Sequence, residues 1–401
     1  MGLIKQLVKN IYMEQFVFSE AFQDRMKFLE NFRKERGIRD FRKNPYPFTE
    51  EELREQIADH KKILKKLGKL KSQKTKHMKS IYQEKQREKV VKLLSEENKI
   101  FYGGKGGGYF MRSDRDFVLN EYEKNLFKPI LKEVMEYFRL NGIDWWGGRK
   151  VPTGHTLSSQ IACLNHLFAI RKDKKAVLSL LKNVSDDFED VYEIKTDKFN
   201  PAFIQFEAVS DKDHLREEQT TRGTKCTSID VLIFAKHKDG TKWLIPIEWK
   251  YTEHYQNQNK AIEGAKKDPN NCKGEVRKAR YSDLINNSNQ LQSKDHYCYY
   301  FEPFYQLMRQ TLWAEQMIKH KETETLKADN FLHLHIIPKE NRDLLKKEYK
   351  CSGSDMESTW RKNLKDNSKY QIVSPETFMQ NIDKKEYAEL IDYLSSRYWN
   401  E

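Results

Sequence analysis

Cysteine is scarce in this chain. Cys163, Cys226, Cys272, Cys298 and Cys351 are spread over 401 positions, and no C-x-x-C pair occurs. An odd number at these spacings argues against a disulfide scaffold and against a cysteine-built zinc site. Long apolar runs are missing as well. No stretch approaches the roughly 18 residues of a membrane span. Lys5, Lys9 and Asn10 interrupt the apolar residues of positions 1–13, so a signal peptide is not expected there. The expectation is a soluble, cytoplasmic protein without a membrane partner. A nucleotide-binding P-loop is absent too. The glycine-rich run Tyr102-Gly-Gly-Lys-Gly-Gly-Gly-Tyr109 lacks the G-x-x-x-x-G-K-[ST] order and reads as a hinge or turn.

Acidic residues are fewer than basic ones, 60 against 73, and the excess is concentrated. Residues 61–92 hold twelve Lys and one Arg against Glu84 and Glu88, a net +11 out of the chain's +13. A cationic block of this kind suits phosphate backbones, read without sequence specificity. Lys61, Lys62, Lys65, Lys66, Lys69, Lys71, Lys74 and Lys76 are therefore candidate nucleic-acid contacts, with Arg222 in a later polar loop. The alternative is a solvated face.

Residues 1–36 carry Leu3, Leu7, Ile11, Phe18, Phe22, Met26 and Leu29 at helical intervals, a stripe that packs on the body or on another protein. A homo-oligomer or a regulatory protein partner through these helices is expected. Thr49-x-x-Glu52 is a capping box that opens a second helical region running toward Leu94. Residues 1–110 thus form an all-α basic segment, and 111–401 the main domain. In that domain a helical pattern covers 116–140, broken or kinked at Pro129. Helices follow at 157–170 and 302–321. Strands are expected at 201–209, 228–236, 243–252 and 330–337, with a long polar loop from 253 to 300 and a short strand at 370–373. This order predicts an α/β fold, a mixed central sheet flanked by helices. His333 and His335 share a strand face, which fits packing better than metal chelation.

Residues 228–253 draw the chemistry together. Ile229, Val231 and Ile233 alternate with Asp230, Leu232 and Phe234, and Ile245, Ile247 and Trp249 alternate with Pro246, Glu248 and Lys250. Period two makes both runs strands and places Glu248 and Lys250 on one face. A three-residue loop, Lys238-Asp239-Gly240, pairs His237 with Thr241 and brings Asp230 opposite Glu248. A two-residue Asp239-Gly240 loop pairs Asp230 with Trp249 instead and separates the carboxylates. Two carboxylates and an ammonium between apolar flanks are costly to bury uncompensated, and a divalent cation is the natural compensation. Hard oxygen ligands select Mg²⁺ or Mn²⁺ over zinc.

Asp on one strand and Glu-x-Lys on the next resembles the PD-(D/E)XK nuclease superfamily, in the residues Asp230, Glu248, Trp249 and Lys250. The stretches Ser158-Ser-Gln-Ile-Ala-Cys-Leu-Asn165, Ile247-Glu-Trp-Lys-Tyr-Thr-Glu253, Arg280-Tyr281 and Glu302-Pro-Phe-Tyr-Gln-Leu-Met-Arg-Gln310 look like a family of bacterial restriction-endonuclease-like proteins within it. The resemblance implies a restriction-endonuclease-like fold and a metal-dependent endonuclease that hydrolyses DNA in a restriction or anti-phage system. It implies Asp230 and Glu248 as Mg²⁺ ligands, joined by the Trp249 carbonyl. Lys250 would orient or deprotonate the attacking water, or steady charge on the phosphate. Gln160 stands where the superfamily often carries an acid on its first helix, which leaves open a second metal and whether Glu207 or Glu217 supplies that carboxylate. Arg309 and Gln310 are candidates for touching the phosphate backbone. Two readings stay beside this one: an RNA-cleaving nuclease with the same site, and a non-catalytic nucleic-acid-binding or assembly subunit.

Overall fold

The computed structural model describes residues 80–95, 99–146, 149–195, 201–218, 226–265, 272–292 and 297–399, which belong to one compact unit, Ser80–Glu401. The expected helix over 1–36, the capping box at Thr49, the eight lysines from Lys61 to Lys76 and Arg222 lie outside the described residues.

Helix α1 (Ile81–Ser95) opens this unit and buries Tyr82, Gln86 and Val90. A hairpin of β1 (Gly108–Phe110) and β2 (Ser113–Arg115) follows. The glycine-rich run is thus a tightly packed turn. A Cβ at Gly106 would lie 2.0 Å from the Asp116 carbonyl oxygen, and one at Gly108 would lie 2.5 Å from that of Leu119. Residues 116–127 do not form the expected α-helix. Two 3₁₀ turns, Tyr122–Asn125 and Lys128–Ile130, occupy the stretch, and α2 (Leu131–Asn141) begins just after Pro129. Proline has no N–H to give to a continuing helix and is best tolerated at its start.

Helix α3 (Ser159–Leu167) matches the expected helix, and the Ser158 hydroxyl caps it by accepting from the Ile161 N–H at 3.4 Å. Helix α4 (Lys174–Lys182) had no forecast. Asp173 caps it, accepting from Lys175 N–H at 2.8 Å, and Val177, Leu180 and Leu181 form its buried stripe. Strands β3 (Phe188–Val191), β4 (Ile204–Ala208), β5 (Ile229–His237) and β6 (Lys242–Trp249) come next.

The supposed polar loop before residue 300 contains α5 (Lys273–Asn286), which carries Lys273, Arg277, Lys278 and Arg280. Only Gly274, Tyr281 and Ile285 of this helix are buried, too few to draw an apolar stripe in the sequence. Helix α6 (Phe304–Lys319), β7 (Asn330–Phe331), β8 (His333–Ile336), α7 (Arg342–Leu345), α8 (Met356–Lys362), β9 (Tyr370–Val373), α9 (Pro375–Met379) and α10 (Ala388–Leu394) complete the order. Cys298 and Cys351 are joined in a disulfide, a pairing not foreseen, while Cys163, Cys226 and Cys272 are free and buried. Among the described residues no helix is long and apolar enough to cross a membrane.

The sheet is mixed and runs β3-β5-β6-β8-β9, with β4 also paired to β5 and β7 to β6. β3, β4 and β6 are antiparallel to β5, while β7 and β8 are parallel to β6, and β9 is parallel to β8. Helices cover both faces. Val231, Ile233, Ile245, Ile247 and Trp249 pack in one core with α2, α3 and α4. Leu232, Phe234 and Leu244 pack in the other with α5, α6 and α8. The α/β expectation therefore holds. Because both faces are covered, a polar side chain on β5 or β6 is enclosed unless it sits near a strand end.

Candidate active site

The β5–β6 turn is the three-residue form. The His237 N–H reaches the Thr241 carbonyl at 2.9 Å, and Gly240 N–H returns to His237 at 2.9 Å with φ +84 at Gly240. That left-handed residue closes the bulged loop and needs glycine. The register then runs Lys236 with Lys242 through Val231 with Ile247. One step further, Asp230 faces Glu248. On the other side, β4 pairs Phe206 with Val231 and Ala208 with Ile229, so Glu207 faces Asp230. Three carboxylates thus line up across three adjacent strands. Glu207 has φ +49, a left-handed conformation that costs a residue with a Cβ and re-aims it within the strand.

These groups form the floor of a cleft of about 580 Å³. Glu248 is 4% exposed and Lys250 6% exposed. The Lys250 ammonium donates to Glu248 Oε1 and, at 2.6 Å, to Gln306 Oε1. Gln310 donates its amide to Glu248 Oε2, and its own Oε1 is 2.8 Å from His333 Nε2. Trp249 N–H donates to Asp230 Oδ2 at 2.8 Å. Glu207 accepts from Gln160 Nε2 at 3.0 Å and from the Ser228 hydroxyl at 2.7 Å. The Trp146 N–H in turn holds Gln160 Oε1 at 3.0 Å.

The electrostatics follow from this crowding. Withdrawal from water, and then the charges of Glu248 and Glu207, push the Asp230 carboxyl well above its usual range. Burial works against the Lys250 charge, but Glu248 leads a set of anionic neighbours that hold its pKa well above the usual ammonium value. Burial lowers His333 to about 4, so it is neutral against Gln310. His335 also stays neutral under burial and hydrogen-bonds Tyr370 at 3.0 Å. Both histidines are packing residues, as their strand setting suggested.

The donor set suits a hard cation. Among the described residues no three His, Cys, Asp or Glu side chains are grouped as a metal cage. Mg²⁺ does not require one, since it commonly takes one or two carboxylates and keeps several waters. Asp230 and Glu248, drawn together by register and under-neutralised by one lysine, fit that pattern.

The structure separates the two carboxylates considered for the supporting role. Glu207 lines the cleft beside Asp230. Glu217 lies elsewhere, accepting from the Arg309 guanidinium at 3.1 Å, from the Thr227 hydroxyl at 2.8 Å and from the Tyr281 hydroxyl. Arg309 is engaged by that acid, yet it lines a smaller recess of about 250 Å³ together with Asp230, Glu248 and Gln310. Gln310 is buried and clamps Glu248. Asn165, a polar position on α3 that invited a site role, instead bonds the Phe127 N–H and the Tyr398 hydroxyl. Sequence reasoning missed Gln83 and Arg87 of α1, and Phe110, Met111, Trp146 and His155, all of which line the cleft. Nothing local marks them, because they come from elements far apart in the chain.

Residues 86–399 match the family described as "restriction endonuclease associating with ARP". No curated protein and no solved structure matches the chain. The matched span begins inside α1 and contains the whole sheet, the cleft floor and the α6 glutamines. On that match, which covers most of its length, the chain belongs to the family of restriction endonucleases associating with ARP.

Proposed function

We propose that the chain is a Mg²⁺-dependent endonuclease, with Mn²⁺ able to substitute, that hydrolyses phosphodiester bonds of double-stranded DNA in a restriction or anti-phage system. The observation that carries this reading is the Asp230–Glu248–Lys250 cluster on adjacent strands at the floor of an open cleft, in a chain of a restriction-endonuclease family. Asp230 and Glu248, with the Trp249 carbonyl, would hold the cation. When bound, it supplies Lewis acidity and a water of lowered pKa.

The chain's own residues do the rest. Lys250 carries a fixed positive charge to where negative charge develops on the phosphate. Its second bond, to Gln306, keeps the ammonium in place when Glu248 turns to another partner. Gln310 and His333 hold the Glu248 carboxylate in one orientation, which preorganises the site. Glu207, fixed by Gln160 and Ser228, is the nearer supporting carboxylate. Arg309 is the candidate for contact with a phosphate entering its recess. Lys61 to Lys76 and Arg222 are proposed to track the DNA backbone. The family description also motivates a protein partner, ARP. The apolar stripe of residues 1–36 is the proposed docking element for it or for a second copy.

Incubating supercoiled plasmid with the purified chain and Mg²⁺, alone and with ARP, tests the reading. Nicking by wild type that disappears in Lys250→Ala is expected. No nicking in either mixture, or equal nicking by the variant, overturns it. Matched DNA and RNA duplexes decide between the nucleic acids, because the site reads phosphate. A non-catalytic assembly role instead requires that Asp230→Ala leave the biological activity intact.

A further inference from the structure

The β1–β2 hairpin has an unexpected tip. Phe110 pairs with Ser113, so Met111 and Arg112 alone make the turn, with φ +46 and φ +70. A two-residue turn with both residues left-handed selects Asn-Gly or Asp-Gly. Here two bulky side chains occupy it under strain. Strain of this kind persists where the surrounding structure holds it, and it concentrates at functional sites. The base of the hairpin supplies that hold. Gly107 N–H bonds the Arg115 carbonyl at 3.0 Å, Gly108 N–H bonds that of Val118 at 2.8 Å, and the close glycine contacts with Asp116 and Leu119 leave no slack.

The tip carries an exposed apolar side chain, Met111, beside exposed Arg112. Met111 is 72% exposed, Tyr109 69% and Trp146 43%. Phe110 stacks on Trp146 with ring centroids 5.2 Å apart and planes 23° apart, and His155 supports Phe110 from 4.6 Å. Phe110, Met111 and Trp146 line the same cleft as Asp230, Glu248 and Lys250. What fills that cleft therefore meets the tip. Arg112 and Arg115 are matched in number by Asp114 and Asp116, so residues 108–116 carry no net charge. The chemistry of the tip, a flat ring and a thioether at the end of a rigid arm, suits the faces of nucleobases.

The geometry points to a base-stacking wedge: the Phe110–Met111 tip, backed by Trp146, enters the base stack of DNA beside the phosphate held at the cleft floor. This inference rests on the nuclease reading above and adds how the substrate is deformed. Glu248 and Lys250 are recessed, so a regular duplex backbone must be drawn inward to reach them. Parting one base step with an apolar side chain kinks the duplex and frees the backbone to move.

The test uses the full chain and closed circular plasmid. Wild type, Met111→Gly and Phe110→Ala are compared for nicking with Mg²⁺. They are also compared for unwinding, read as a change in linking number of relaxed plasmid with Ca²⁺ replacing Mg²⁺. Glycine suits the φ of position 111, so Met111→Gly removes the tip side chain without loss of folding, checked by its melting temperature. The expected result is unwinding by wild type and a loss of both nicking and unwinding in each variant, about tenfold or more in Phe110→Ala, the scale of one lost base–aromatic stack. Unchanged nicking in the variants overturns the wedge and leaves the nuclease reading standing. So does nicking by wild type without unwinding. Variants that lose nicking but keep unwinding overturn it too and assign the tip to a protein contact. A wild type that does not nick either alone or with ARP overturns the underlying reading with it.

Discussion

Replacing Asp230 by Asn tests the charge logic of the cleft without relying on turnover. Asp230 faces Glu207 on one strand and Glu248 on the other, and the Lys250 ammonium is bonded to Glu248. Burial and those two neighbours already disfavour its ionised form. Asn is the same size and keeps an oxygen for the Trp249 N–H, so the fold loses no hydrogen bond there. In metal-free buffer Asp230→Asn should therefore be more stable than wild type, by about 1–2 kcal/mol, the low end of the gain seen when a buried ion pair gives way to uncharged residues of similar volume. In melting temperature this is about 1–2 °C for each kcal/mol in a unit of this size. Mg²⁺ should reverse the order. A ligand at a hundred times its Kd stabilises by about 2.7 kcal/mol, and only wild type retains the carboxylate pair. Differential scanning fluorimetry in EDTA and across a Mg²⁺ titration reads both effects. A metal-free Asp230→Asn that melts lower than wild type, or an equal Mg²⁺ shift in the two proteins, refutes the reasoning.

Three further outcomes follow from the same network. Gln310→Leu leaves a Glu248 oxygen and the His333 ring without their partner, so it should cost about 1–3 kcal/mol in urea unfolding and slow single-turnover cleavage. Arg309→Met strips buried Glu217 of its cation and should destabilise by about 3–5 kcal/mol, whereas Arg309→Met combined with Glu217→Gln should recover much of that loss in a double-mutant cycle. For pH, burial lowers His155 to about 4 and His166 to about 3. His166 Nε2 accepts from Trp399 Nε1 at 3.1 Å, so Nδ1 carries the proton and donates to the Ala162 carbonyl at 2.6 Å. The unfolded chain takes up protons near pH 6.5 that the folded state refuses. Stability is thus complete above about pH 6.5 and falls as pH drops toward 4, and His166→Gln should flatten that slope in denaturation at pH 7.5 and 5.0.

The placement of Asp230 over Glu248 was legible as one of two registers, because it depends on period-two alternation and on the length of one loop. Gly240 fits either loop length, and the His237–Thr241 bond of the folded hairpin chose the three-residue form. The Ser158 cap and the break at Pro129 were local in the same way. Helix α5 was not legible, since its charged sequence buries too little to show a period. The choice of Glu207 over Glu217 was not legible either. Arg309 captures Glu217 across 92 residues, and such pairing is invisible to local pattern. The Gln310–Glu248 clamp spans 62 residues, and the hairpin tip lines the same cleft as the carboxylates although more than a hundred residues separate them. The sequence by itself determined the strands that carry Glu207, Asp230 and Glu248 and the residue types of the cleft floor, through short-range geometry, while β1, β2 and β3 were not foreseen. Tertiary structure alone decided which side chains surround that floor, because burial and charge capture depend on residues distant in the chain.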